Sequence, residues 1–396
     1  MAINLVFADD ANRVDLFPLA LTRPIADLRV GILTLRRKWE MRLGTGSSSL
    51  VPEYLSLRYP TLQGESNLLI NGAFCPDETL AIACAELLPG EALVWDDRVI
   101  ARQYGPDLPQ EPELSAKDAR QITYPGTPVL IRYPWDLFRL NGSELMRDFE
   151  LLTRERNGMK LPDHCLHLGP YPVFIEEGAR VSASTFNTHD GPVYIGPEAE
   201  VMEGCMIRGP FALGEGSTLK MGAKIYGPTT IGPHSKVGGE LNNVLILGYS
   251  NKAHDGFLGN AVIGEWCNIG ADSNNSNLKN TYDTVKMWSY RKEAFISSGL
   301  QFCGLIMGDH SKCGINTMFN TGTVVGVSCN LFGSGFHRNF IPCFSWGGPQ
   351  GFQPYDLNKS MQVASAVMER RGMMFDEGDR RIFAFLHEQG MRMFRK

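Results

Sequence analysis

From Ile195 onward an aliphatic residue recurs at every sixth position, through Val201, Ile207, Leu213, Leu219, Ile225, Ile231 and Val237. The fifth position of each hexad is usually small, at Ala199, Cys205, Ser217, Ala223, Thr229 and Ser235, with Phe211 and Leu241 as exceptions. Gly196, Gly214, Gly232 and Gly238 follow the aliphatic residue directly. Ile175 and Val181 look like an earlier start. The register lapses after Val237, returns at Ile263 and Ile269, and returns again at Met307, Cys313, Phe319, Val325 and Leu331. This spacing predicts a coil of three short flat strands per turn, a triangular prism. The large residue fills the interior, the small one sits where the backbone bends, and glycine supplies dihedrals that other residues resist. Stacked turns pair as parallel strands, and each turn buries its interior only when a neighbour covers it, so a long run is required.

The N-terminal third has a different rhythm. Ile3 to Ala8 reads as a strand ending at Asp9-Asp10, and Pro24 fits the first turn of a helix with Ile25, Leu28, Ile32, Leu35 and Trp39 on one face. Asn67–Asn71 and Pro128–Arg132 read as strands, Asp77–Leu88 as a helix, and Glu91–Ala101 as a hairpin around Asp96-Asp97. Strands alternating with helices predict an α/β domain over residues 1–155 with a mostly parallel sheet, its ligands at strand C-terminal ends. The prism is expected over 166–345. A helical tail follows over 346–396, with Leu357, Met361, Ala364 and Met368 on one helix and Ile382–Leu386 on a second.

Composition sharpens this division. The 396 residues are 43% hydrophobic and 20% charged, which excludes disorder. The 42 glycines are about a tenth of the chain against a usual share of roughly 7%, and they crowd between Gly169 and Gly351, where the hexads lie. A net charge of −5 provides no basic field for nucleic acid. No run of 18 apolar residues suggests a membrane span, and the opening MAINLVFADD lacks the basic region of a signal peptide, so the expected location is cytoplasmic. Nine cysteines without CxxC pairs read as free thiols. Cys205, Cys267 and Cys329 occupy small sites and Cys313 a large one, so they are expected in the core. His164, Cys165 and His167 make a metal-like cluster in which zinc is not expected.

Chemistry is expected where the repeat breaks. The first break, Gly239 to Asn277, carries His254 and a concentration of asparagines; the second, roughly Asn280 to Phe302, reads as a loop leaving the prism. A neutral imidazole can take the proton that an amine must lose before it attacks a thioester. The hexad resembles the left-handed parallel β-helix of the hexapeptide-repeat transferases, a family of trimers with sites between adjacent prisms. The segment KAHDGFLGNAVIGEWCNIGADSNNSN resembles the acetyltransferase site of the bifunctional enzymes that make UDP-N-acetylglucosamine. That resemblance implies His254 as general base, Glu240 as the carboxylate orienting it, and Asn268 and Asn277 as the paired asparagines. It places Lys220 where the family holds the sugar phosphate. Phe257 stands where the family has a Tyr, and Asn242 and Asn243 replace a Lys pair. Lys224, Lys236 and Lys252 are therefore further candidates for the phosphate, with acetyl-CoA as the implied acyl donor.

The segment FADDANRVDLFPLALTRP and the later YPWDLFRLNG resemble a short divergent group of sugar-1-phosphate nucleotidyltransferases joined to hexapeptide-repeat acetyltransferases. The resemblance implies Arg13 and Arg23 as cations for a triphosphate, with Asp10 in the nucleotide site and Asp9 and Asp10 as contacts for Mg²⁺. The loop lacks the glycines of the larger family, and Ala73 stands where that family has an Asp. The leading expectation is thus a homotrimeric bifunctional transferase using a sugar phosphate, acetyl-CoA and a nucleoside triphosphate, UTP. Two alternatives stand beside it: an acyltransferase with a non-catalytic nucleotide-binding-like domain, and a catalytically silent trimeric regulatory or assembly protein.

Overall fold

The computed structural model describes residues 4–109 and 114–394; Ile3, expected in the first strand, lies outside them. The chain divides into two compact units. One comprises the residues up to Leu28, with Leu33–Tyr133 and Asp376–Phe385; the other comprises Arg29–Ile32, Pro134–Phe375 and the residues from Leu386.

The first unit is built on a six-stranded sheet in the order Ser47–Leu50, Asn4–Ala8, Asn67–Asn71, Arg98–Tyr104, Glu91–Trp95, Arg120–Thr123. The first three strands are parallel, but Arg98–Tyr104 is antiparallel to both of its neighbours, so the sheet is mixed. The cause is the tight hairpin at Asp96-Asp97, whose Asp96 takes a left-handed φ of 52° and returns the chain without a crossover. The expected helix from Pro24 to Trp39 is also divided. A 3-10 turn covers Ile25–Asp27, and α1, Leu35–Leu43, starts only after Thr34 caps it by accepting from the Arg37 N–H. Gly31, at φ +75°, interrupts the helix, and the N–H groups of Gly31 and Ile32 donate to Asn141 and Asp148 of α3, Pro134–Thr153, within the second unit. The helix α2, Glu78–Ala85, is capped by Asp77.

The second unit contains the prism. Its three faces are parallel ladders. Val173–Ile175, Val193–Ile195, Phe211–Leu213 and Thr229–Ile231 stack on one, and Leu166–Leu168, Thr185–Asn187, Met206–Arg208 and Lys224–Tyr226 on the next. The third runs from Arg180–Val181 through Lys236–Val237, Asn251–Lys252, Asn268–Ile269 and Lys312–Cys313 to Ser345–Gly348. As the six-residue spacing predicts, Ile195, Val201, Ile207, Leu213, Leu219, Ile225, Ile231 and Val237 all point inward and are buried, with Cys205, Cys267, Cys313 and Cys329 among them. Every cysteine is a free thiol. The tail forms α4, Leu357–Glu369, and α5, Glu377–Phe394.

The lapse after Val237 has a definite cause. Leu219 pairs with Val237 eighteen residues later, whereas Val237 pairs with Lys252 only fifteen later. A single nine-residue strand, Glu240–Gly248, pairs with both Lys224–Tyr226 and Thr229–Ile231, running through a corner that earlier turns make with Gly-Pro. The shortened turn shifts which residues face inward, and it lies beside His254.

Candidate functional site

On the third face, two-residue strands alternate one outward and one inward side chain. The outward residues Lys236, Asn251, Asn268 and Lys312 therefore form a column, one per turn, with Lys236 paired to Asn251, Asn251 to Asn268 and Asn268 to Lys312. This column is the floor of a cleft of about 760 Å³. One wall is the stacked pair Tyr249 and Trp266, ring centroids 4.4 Å apart, which His234 and His310 extend beyond the cleft at 5.1 Å from Tyr249 and 6.1 Å from Trp266. The opposite wall carries Ala253-His254, Gly270-Ala271 and Ile315, and Val367, Arg370 and Arg371 close the cleft from the end of α4.

The cleft is strongly cationic. Lys236 and Arg370 are exposed, Lys312 and Arg371 half-buried, and among the described residues none of the four has a carboxylate within ion-pair distance. Arg371 donates to the Asn251 side chain at 3.3 Å, and the Lys312 ammonium donates to the His310 carbonyl at 2.9 Å. Burial lowers the Lys312 pKa, and burial together with the adjacent Arg370 lowers that of Arg371. Unpaired cations in a partly desolvated groove attract an anionic ligand.

The structure brings part of the sequence-singled constellation together. His254 and Asn268 share the cleft, and the exposed His254 ring has no protein hydrogen-bond partner among the described residues. Asn277 lies elsewhere, donating to the Asn260 side chain at 2.7 Å. Glu240 opens its strand opposite Phe257 and makes no hydrogen bond to His254 among the described residues. Lys220 sits on the corner two turns before Ala253, outside the cleft lining. Lys252 faces inward, 2% exposed, and its ammonium donates to the His254 carbonyl. Many asparagines of this stretch are structural: buried Asn275 accepts from the Gly259 N–H and donates back to its carbonyl, and Asn274 accepts from the Phe257 N–H. Asn251, Tyr249, Trp266, Lys312, Arg370 and Arg371 escape the sequence reading. The only signal for Asn251 and Lys312 is that each immediately precedes an inward residue.

In the first unit the expected phosphate loop is closed on itself. Asp9, buried at the end of its strand, pairs with Arg13 at 3.0 Å and accepts from the Ile25 N–H at 3.1 Å. Burial raises the Asp9 pKa to about 6, with Arg13 lowering it only in part. Arg13 also donates to the carbonyls of Ala20 and Arg23 and to the Tyr54 hydroxyl, and Arg23 is 5% exposed. Asp10 caps the following 3-10 turn through the Asn12 N–H, accepts from Asn71 and pairs with Arg98 at 3.3 Å. This donor set does not fit Mg²⁺, which needs carboxylate oxygens free to coordinate. Among the described residues no three His, Cys, Asp or Glu groups gather as a metal site.

The chain is similar to known proteins over parts of its length. A curated relative, the bifunctional protein GlmU of Methanocaldococcus jannaschii, is 31% identical over 90 residues, which is 23% of this chain and 21% of that protein's length. Two solved structures match with low overall superposition. The polySia-specific acetyltransferase NeuO has a TM-score of 0.28 and 14% identity, covering 53% of this chain and all of that one. The Arabidopsis UDP-N-acetylglucosamine acyltransferase has a TM-score of 0.23 and 15% identity, covering 54% of this chain and 80% of that one. No described helix is long and apolar enough to cross a membrane. Residues 5–157 match the family model described as sugar nucleotidyl transferase, so the N-terminal part of this chain carries a domain of that type.

Proposed function

We propose that the prism transfers an acyl group from acetyl-CoA to the amine of an amino-sugar phosphate, with His254 as general base. The observation that carries this reading is the exposed His254 ring, without a protein partner among the described residues, on the wall of a cleft floored by Lys236, Asn251, Asn268 and Lys312. The four cations can neutralise the phosphates of both substrates, and the Tyr249–Trp266 stack offers an aromatic wall for a planar ring. The substrate ammonium gives one proton to solvent, the imidazole takes the second as the nitrogen attacks the thioester carbonyl, the C–S bond breaks, and the imidazolium proton passes to the departing thiolate. The Asn268 amide can donate to the oxyanion that forms between these steps. The active assembly in this reading is a homotrimer.

Its first unit, in the same reading, binds a nucleotide or nucleotide sugar without metal-dependent turnover, because Asp9 and Arg13 are committed to each other and to the main chain and Asp10 to Arg98, Asn71 and the Asn12 N–H. Thiol release from acetyl-CoA with glucosamine 1-phosphate tests the acyl transfer. His254→Ala is expected to lower kcat by roughly 10²–10⁴-fold with the oligomeric state unchanged. Full activity in that variant removes the assignment.

A further inference from the structure

Lys252 is buried where the fold calls for an aliphatic side chain. Its register partner on the preceding turn is Val237, in line with Leu219 and Val201, and Ile269, Cys313 and Leu331 continue the inward column on later turns. An ammonium ion in such a column is costly, and an apolar residue of similar volume would fill the place without that cost. No carboxylate lies within ion-pair distance of it among the described residues. Its hydrogen bond goes instead to the main-chain oxygen of His254, two residues on, the residue whose ring lines the cleft. Burial holds its pKa down to about 8, with Asp255, Cys313 and Asp272 pulling it upward. The rest of the corner is fastened after His254 and not at it: the Asp255 carbonyl accepts from the Asp272 N–H at 3.0 Å, the Gly256 carbonyl from the Glu240 N–H at 3.2 Å, and the Phe257 N–H donates to Asn274 at 2.7 Å.

We propose that Lys252 is a positioning residue whose buried ammonium holds the His254 main chain, and with it the imidazole, facing the cleft. This rests on the reading of His254 as the base. A lysine at an inward position is explained by what its head group grips, and loss of its proton removes the charge assistance of that hydrogen bond and loosens the corner.

The test uses the full chain and the variant Lys252→Met, which keeps a flexible stem and removes the charge. The thermal midpoint is expected to hold or rise. With acetyl-CoA and glucosamine 1-phosphate, kcat is expected to fall about 10–100-fold while KM for acetyl-CoA stays within about twofold, and the alkaline decline of kcat near pH 8 is expected to vanish. Unchanged kcat with an unchanged pH profile overturns the proposal. A second readout needs neither activity nor a variant: in the wild-type protein the amide resonances of His254 and Asp255 are expected to titrate together with a midpoint near 8. A flat response between pH 7 and 9 overturns the Lys252 contact. Full activity of His254→Ala, in contrast, overturns the catalytic reading while the amide titration still judges Lys252.

Discussion

Replacing Asp9 by Asn is predicted to stabilise the N-terminal unit at pH 8. The carboxyl is 4% exposed, and burial outweighs the attraction of Arg13, raising its pKa from 3.8 to about 6. A carboxyl whose folded pKa lies above its unfolded one adds stability that is fully present below pH 3.8 and is lost as the pH rises through about 6. The difference corresponds to roughly 3 kcal/mol. Asparagine can keep the acceptor for the Ile25 N–H, and Arg13 retains the Ala20 and Arg23 carbonyls and the Tyr54 hydroxyl. Urea unfolding of both proteins across pH 4–8 isolates the term, because other titrating groups cancel in the difference. The variant is expected to be more stable by about 3 kcal/mol at pH 8, roughly 6–12 °C in Tm, and by about 1 kcal/mol at pH 4.5. A variant destabilised at pH 8 would refute the reasoning. It would mean that the Asp9–Arg13 pair is net favourable and that its loss carries the roughly 3–5 kcal/mol of a broken buried pair. The same wild-type sample, given Mg²⁺, UTP and N-acetylglucosamine 1-phosphate, is expected to release no pyrophosphate; release would restore Asp9 as a metal ligand.

Two further outcomes follow from the second unit. Gly31→Ala places a Cβ 2.5 Å from the Asp148 carboxylate and 2.7 Å from the Glu144 carbonyl at a φ of +75°, so a loss of about 2–4 kcal/mol is expected in denaturant unfolding, and a neutral result contradicts this packing. Lys312→Met removes a half-buried cation from the cleft floor and is expected to weaken coenzyme A binding by roughly 10–100-fold, the weight of a charge-assisted hydrogen bond, measured by titration calorimetry at two salt concentrations; unchanged affinity at low salt places the phosphates elsewhere.

Sequence periodicity alone determined the prism, because a six-residue repeat of large and small side chains is a local code: each inward residue is set by its own spacing, and neighbouring turns supply identical surroundings. The same periodicity placed the thiols in the core and located the break that carries His254. It could not say which residues face inward after Val237, because a turn of fifteen residues looks like noise in a pattern of eighteen. Lys252 therefore reads from sequence as a candidate for the sugar phosphate, whereas strand pairing puts it in the interior. The cations of the cleft were hidden for a related reason. Lys236 and Lys312 lie 76 positions apart in the chain yet only three turns apart on one face, and Arg370 and Arg371 arrive from α4, so long-range pairing and helix docking assemble what spacing cannot show. In the N-terminal unit the residue types that suit a nucleotide loop were visible, but whether they reach outward or bind each other is a question of burial. Tertiary structure decided it by enclosing Asp9 and Arg13, where desolvation favours pairing within the protein over waiting for a ligand.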